Sequence, residues 1–158
     1  GKKKYADVEE DVKALMARAE DLRAHLLAQV DADAAAFEPL SRAYAIPKDA
    51  PGRDETMEKC LRDAAAVPME ILRLCCEALD IHRELLDKGS VMVLSDVGTG
   101  AALCESALRG AALNVKVNTK LMADRTYAGT MNREADERLE RYGAMAREIY
   151  QSVMGRYA

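Results

Sequence analysis

Tryptophan is absent from the 158 residues, phenylalanine occurs once and tyrosine six times. Proline occurs four times and glycine nine times, yet hydrophobic residues make up 49%, much of it alanine, leucine and methionine. That balance favours helices and leaves β-structure little material. Histidine occurs twice, and the four cysteines, Cys60, Cys75, Cys76 and Cys104, form no CxxC pair and no Cys/His ligand spacing. They read as reduced core thiols of a cytosolic protein, with no metal site. No stretch of 18 or more residues is apolar and free of charge, so no transmembrane helix is expected. Excess positive charge is lacking too: a net charge of −4 with pI ≈ 5.3 argues against a nucleic-acid surface. The chain opens GKKKY, with neither a signal peptide nor an initiator Met, so part of the natural beginning is expected to be missing. The length suits one domain, expected over 1–158, and shows no internal repeat or low-complexity segment.

What is present centres on Ser95 to Asn118, SDVGTGAALCESALRGAALNVKVN. Small residues alternate there with Val97, Leu103, Leu108, Leu113, Val115 and Val117, which reads as a helix buried on nearly every side. Gly98, Ala102, Gly110 and Ala111 would admit a neighbouring helix, or a flat ring, close to the backbone. At roughly 100° per residue, Glu105, Arg109 and Lys116 fall within about 40° of one another, a thin stripe able to reach water. Asn114 and Asn118 lie roughly 180° and 220° round from Glu105. Two amides are therefore expected inside the packing, either tying this helix to a neighbour's backbone or facing a polar ligand, because an unpaired buried amide costs about 1–3 kcal/mol.

In chain order, a first helix is expected from about Tyr5 to about Ala45, with the seam Val8, Val12, Leu15, Ala19, Leu22, Leu26, Val30, Phe37, Leu40 and Tyr44. Asp33 occupies a seam position where a core residue belongs. A carboxylate there must be paired, hydrogen-bonded, protonated or beside a cavity. It is a structural Asp held by an Arg or a helix end, or it is a candidate general acid or base. The segment 46–52, IPKDAPG, breaks the helix. A second helix begins near Arg53 or Asp54, runs along Met57, Leu61, Ala64, Val67, Ile71, Cys75, Ala78, His82 and Leu85, and ends at a Lys88-Gly89 cap. Pro68 should kink it and free the carbonyl of Ala64. His82 lies on the seam without a second ligand, as a satisfied core histidine does, and His25 reads as surface. Ser95 or Asp96 is expected to cap the central helix, and Asp124 the last one, whose stripe is Ala128, Met131, Ala135, Leu139, Tyr142, Met145, Ile149 and Val153. The expected fold is all-α, an antiparallel bundle of four long helices. A first helix of about forty residues, roughly 60 Å, invites a partner chain along its free length, so a homodimer is expected.

Four segments, GKKKYADVEE, DADAAAF followed by AYAIPKD, AAAVPMEI and above all SDVGTGAALCESALRGAALNVKVN, together resemble the cyclodeaminase/cyclohydrolase family. Its members are methenyltetrahydrofolate cyclohydrolases and the cyclodeaminase domain of formiminotransferase-cyclodeaminase. The resemblance spans essentially the whole chain in order. It implies an all-helical, cytoplasmic homodimer that binds a reduced folate and needs no cofactor beyond it. It also implies a further N-terminal helical segment with a PGGGS-like motif ahead of Gly1, absent from this sequence. The activity implied is hydrolysis of 5,10-methenyltetrahydrofolate to 10-formyltetrahydrofolate, or alternatively cyclodeamination of formiminotetrahydrofolate. Both reactions move protons at a tetrahedral carbon, for which Asp33 is the candidate catalytic carboxylate. Asn114 and Asn118 would hold the pterin edge or the formyl oxygen, Asp96 would join only across a dimer, and Lys48 would pair with a folate glutamate tail. A helical scaffold would instead pair Asp33 with an Arg, and a folate-binding protein without turnover would keep the pocket while tolerating Asp33→Asn.

Overall fold

The computed structural model describes residues 3–158, with side chains from Ala6 onward; the first two residues of GKKKYADVEE lie outside it. A 3-10 turn over Lys3–Val8 leads into α1 (Glu9–Ala43). Then come α2 (Arg53–Lys88), a short 3-10 turn at Val91–Val93, α3 (Leu94–Thr119) and α4 (Arg125–Met154), with no strand among the described residues. The four long helices expected from periodicity are all there. α1 begins at Glu9 rather than near Tyr5, where Glu9, Glu10 and Asp11 place negative charge on the positive end of the helix dipole. Gly52, at φ 76°, carries the backbone out of the 44–52 turn into α2, a conformation open to glycine at little cost. Asp124 caps α4 as expected, its Oδ1 accepting from the Tyr127 N–H at 2.9 Å. The expected cap of α3 by Ser95 or Asp96 is not found. The helix starts one residue earlier, at Leu94, and Asp96 sits exposed inside its first turn.

The helix at the centre of the packing is α2, which touches all three others and buries fourteen residues, among them Leu61, Ala65, Met69, Leu72 and Leu79. α3 packs on α2 and α4 but buries only nine of its residues. The expectation that it is enclosed on nearly every side is thus corrected: Leu103, Leu113 and Val117 are 67%, 64% and 56% exposed. Its small residues explain the one-sidedness. Gly98 brings α3 so close to α4 that an added Cβ would stand 3.0 Å from Val153 Cγ1, and Ala101, Ala111 and Ala112 line the same contact side. The far side meets nothing. The charged stripe of α3 turns to α4: Glu105 Oε1 accepts from Arg109 and Arg147, both at 2.7 Å, and Lys116 pairs with Asp136. By composition and length Val91–Thr119 is apolar enough to cross a membrane, at mean hydropathy 1.3, although no 18-residue stretch of it is free of charge. Here it is a bundle helix with this ion-paired Glu105 in its middle.

α1 rests on α2. Leu15 and Leu22 pack against Leu74, Ala78 and Ile81, while Leu40 and Ala43 join the main core around Leu61 and Ala64. Val30, Phe37 and Tyr44, expected in the seam, are 68%, 56% and 48% exposed. Projected down the axis, Val30 and Phe37 stand about 80° and 60° from the line of Leu22 and Leu40. One supporting helix cannot cover so wide a stripe.

Thr119 closes α3 beneath α4. Its fully buried hydroxyl donates to Asn132 Oδ1 at 2.7 Å, and Arg125 Nη1 donates to the carbonyls of Thr119 and Met122 at 2.9 and 3.0 Å. The Thr119 carbonyl, which would lack a partner at the C-terminus of α3, is thereby satisfied, as is a carbonyl of the turn that follows.

Candidate functional site

Three helices meet at a cleft of about 200 Å³, lined by Asp33 and Phe37 from α1, Ala64 and Pro68 from α2, and Asn114, Val117 and Asn118 from α3. The three polar residues that the sequence pattern singled out thus share one site, although 85 positions separate Asp33 from Asn118.

Pro68 is the reason the site is polar on the α2 side. α2 continues through this buried proline, which has no N–H to give the carbonyl of Ala64. Asn118 Nδ2 donates to that carbonyl at 3.2 Å and to the Asn114 carbonyl at 3.1 Å. Asn118 therefore ties α3 to its neighbour's backbone and lines the cleft as well. It is half-buried, whereas Asn114 is exposed, so the expectation of two amides inside the packing holds for one of them only. Of the conditions set for a carboxylate in the seam, Asp33 meets the last, a place beside a cavity. Its angular position is on the seam, within about 20° of Leu22 and Leu40. What faces it is the cleft rather than packed side chains, and it is exposed with no ion pair among the described residues. The pairing with an Arg that a scaffold would show is not there.

A larger groove of about 380 Å³ runs between Leu22, Leu26, Ala78, His82 and Cys104, but its lining is almost wholly apolar. His82 is held there by its own helix, Nδ1–H donating to the Ala78 carbonyl at 2.6 Å, with the ring against Gly100 of α3. It is the satisfied seam histidine that the sequence suggested; His25 is exposed. All four cysteines are free. Burial, with Cys104 and Cys76 nearby, pushes the Cys75 thiol up to about 12, and burial raises Cys76 and Cys104 as well. None of these three thiols is an activated nucleophile. Among the described residues no three His, Cys, Asp or Glu side chains cluster as metal ligands.

Residues 1–137 match the family model described as formiminotransferase-cyclodeaminase. The chain belongs to this family. It is 35% identical over 157 residues to the methenyltetrahydrofolate cyclohydrolase of Methylorubrum extorquens, an alignment covering 97% of this chain and 76% of that protein. It is 26% identical to the formimidoyltransferase-cyclodeaminase of Sus scrofa, spanning all of this chain and 30% of that much longer protein. The crystal structure of formiminotetrahydrofolate cyclodeaminase from Thermotoga maritima superposes with a TM-score of 0.78 at 29% identity, over 96% of this chain and 72% of that one.

Of the residues singled out for a formiminotransferase-cyclodeaminase family member, Asp33, Asn114 and Asn118 come together and two others do not. Asp96 lies in the first turn of the unbroken α3, roughly 27 Å along the axis from Asn114. Lys48 is exposed in the 44–52 turn and does not line the cleft. Sequence reasoning missed Phe37 and Val117 as cleft walls, having placed Phe37 in the α1 seam and Val117 in a helix buried on nearly every side. Only the arrangement of the three helices turns them into walls. It also missed the knot at the cleft's end of the bundle. There Glu58 accepts from the Ala123 N–H at 2.6 Å and from Arg62, which also reaches Asp124 at 2.7 Å. Burial works to raise the Glu58 carboxyl, but the hydrogen bonds from Ala123 and Arg62 outweigh it and hold the group below its ordinary value.

Proposed function

We propose that this chain is the helical domain of a one-carbon enzyme that hydrolyses 5,10-methenyltetrahydrofolate to 10-formyltetrahydrofolate at the Asp33–Asn114–Asn118 cleft. The observation that carries the reading is the convergence of these three residues on one cleft in a chain 35% identical, over 97% of its length, to a methenyltetrahydrofolate cyclohydrolase. In the reaction a water oxygen adds to the cationic carbon bridging N5 and N10, and Asp33 accepts the water proton. The adduct then opens: the C–N5 bond breaks, N5 takes a proton, and the hydroxyl proton leaves as the formyl C=O forms, with one proton released overall. A second reading rests on the likeness to the Thermotoga maritima cyclodeaminase. There N10 attacks the formimino carbon carried on N5, and the same carboxyl, protonated, gives its proton to the departing ammonia.

At about 200 Å³ the cleft is smaller than the roughly 300–1,000 Å³ of sites that enclose a drug-sized ligand. It has room for one ring system of a folate, not the whole molecule. Its rim carries the exposed apolar side chains Phe37 and Val117, and the exposed Val30 and Leu113 stand seven and four residues away from them on the same helices. A second copy of the chain seated on that rim completes the enclosure, so the working form is a homodimer, with Asp96 reaching a site only from the partner side. Lys48 meets the glutamate tail, polyglutamylated or not. The enzyme is cytoplasmic, uses no cofactor beyond its folate, and takes neither nucleic acid nor membrane as a partner.

The test is the absorbance of 5,10-methenyltetrahydrofolate incubated with the protein and with Asp33→Asn. The wild type is expected to bleach the methenyl band, and the variant to do so at least about a hundredfold more slowly. Equal rates would remove Asp33 from catalysis. Absence of turnover with both the methenyl and the formimino substrates would remove the function itself.

A further inference from the structure

Pro68 fixes the hydrogen-bonding polarity of the cleft. A helical proline leaves the carbonyl four residues earlier without a partner, and here Asn118 Nδ2 supplies one to Ala64 and a second to Asn114. Carbonyls only accept, so these two partners dictate that the nitrogen end of the amide points at them and the oxygen end points away. Both Nδ2 protons are then in use. Asn118 is half-buried, and no buried side-chain nitrogen or oxygen among the described residues lacks a partner. Its Oδ1, which no group among the described residues bonds, is therefore open to the cleft that the residue lines. This corner of the site is a fixed acceptor, and the Asp33 carboxylate on the α1 wall adds acceptors rather than donors.

We propose that Asn118 is a specificity-determining residue whose Oδ1 accepts a hydrogen bond from the 2-amino group of the pterin, locked in that sense by Pro68. The assignment rests on the folate reading above and narrows it. Of the two roles open to Asn118, holding the pterin edge or the formyl oxygen, only the first suits an acceptor, because a formyl oxygen also accepts and would leave both lone pairs unmet. Pro68 then acts at a distance from any substrate atom it could itself bond: by withholding an N–H from Ala64 it prevents the amide from turning over.

The experiment compares binding of tetrahydrofolate and of 2-desaminotetrahydrofolate, neither carrying the one-carbon unit that turns over, by titration calorimetry. The wild type is expected to prefer tetrahydrofolate about tenfold, the value of one such hydrogen bond. Asn118→Ala should bring the two affinities to within about threefold of each other. Pro68→Ala restores the helical N–H, is compatible with folding of α2, and frees the amide to rotate; it should lower the preference at least about threefold. Equal binding of both ligands by the wild type, or a preference unchanged in both variants, would overturn the assignment alone. A wild type that binds neither ligand would overturn the folate reading and this assignment with it.

Discussion

Replacing Gly100 by alanine sets two effects of opposite sign against each other, and the structure says which wins. In an isolated helix the change is favourable by about 1 kcal/mol, because glycine gives up more backbone freedom. In this protein a Cβ at Gly100 would overlap His82 Nε2 and stand 2.8 Å from its Cδ2. The ring cannot simply turn aside, because Nδ1–H holds the Ala78 carbonyl at 2.6 Å. Moving it forfeits about 1 kcal/mol of hydrogen bond and adds about 1–3 kcal/mol of overpacking at the α2–α3 contact. A net loss of about 1–3 kcal/mol is expected, a fall of roughly 2–12 °C in Tm for a chain of this size. In a His82→Ala background the obstacle is gone, and Gly100→Ala should then stabilise by about 0.5–1 kcal/mol. Urea unfolding of the four proteins in the cycle reads both numbers. The same sign in both backgrounds would refute the close approach of α3 to His82.

Two further outcomes follow from the core and from the ion pairs. Thr119→Val keeps the shape of a fully buried side chain but strands Asn132 Oδ1, so a loss of about 1–3 kcal/mol is expected, part of it recovered by Asn132→Leu; a loss under about 0.5 kcal/mol would show that the hydroxyl contributes little. Glu134 accepts from Arg73 at 2.9 and 3.0 Å and from Arg138 at 2.9 Å, and the hydrogen bond from Arg73, chiefly, holds its carboxyl below the ordinary 4.5. A carboxyl lowered in the folded state contributes stability that is present above the unfolded value and lost as pH falls through the folded one. Wild type should therefore exceed Glu134→Gln by about 0.5–1 kcal/mol at pH 7, with the gap closing below about pH 4.5; a gap constant from pH 7 to 3 would contradict the pairing.

The sequence by itself determined what depends on neighbours along the chain. Threefold and fourfold apolar spacing laid out four helices, Asp124 and Gly89 marked ends, and the missing N–H of Pro68 identified Ala64 as a carbonyl in need of a donor. Asp33, Asn114 and Asn118 were legible as misfits because a polar residue inside an apolar pattern needs a reason. The family resemblance, carried by the same segments, agrees with the family match over residues 1–137. Which helix is central was decided only in three dimensions. Composition pointed to α3, yet α2 lies among three neighbours while α3 keeps an open face at Leu103, Leu113 and Val117. Hydrophobicity says how much surface must be covered and not whether this protomer or another surface covers it. The same gap explains Asp33. Periodicity placed it correctly on the seam, but only the spacing of α1, α2 and α3 decided that the seam opens there into a cleft, with Asn118 as the donor that Ala64 was missing.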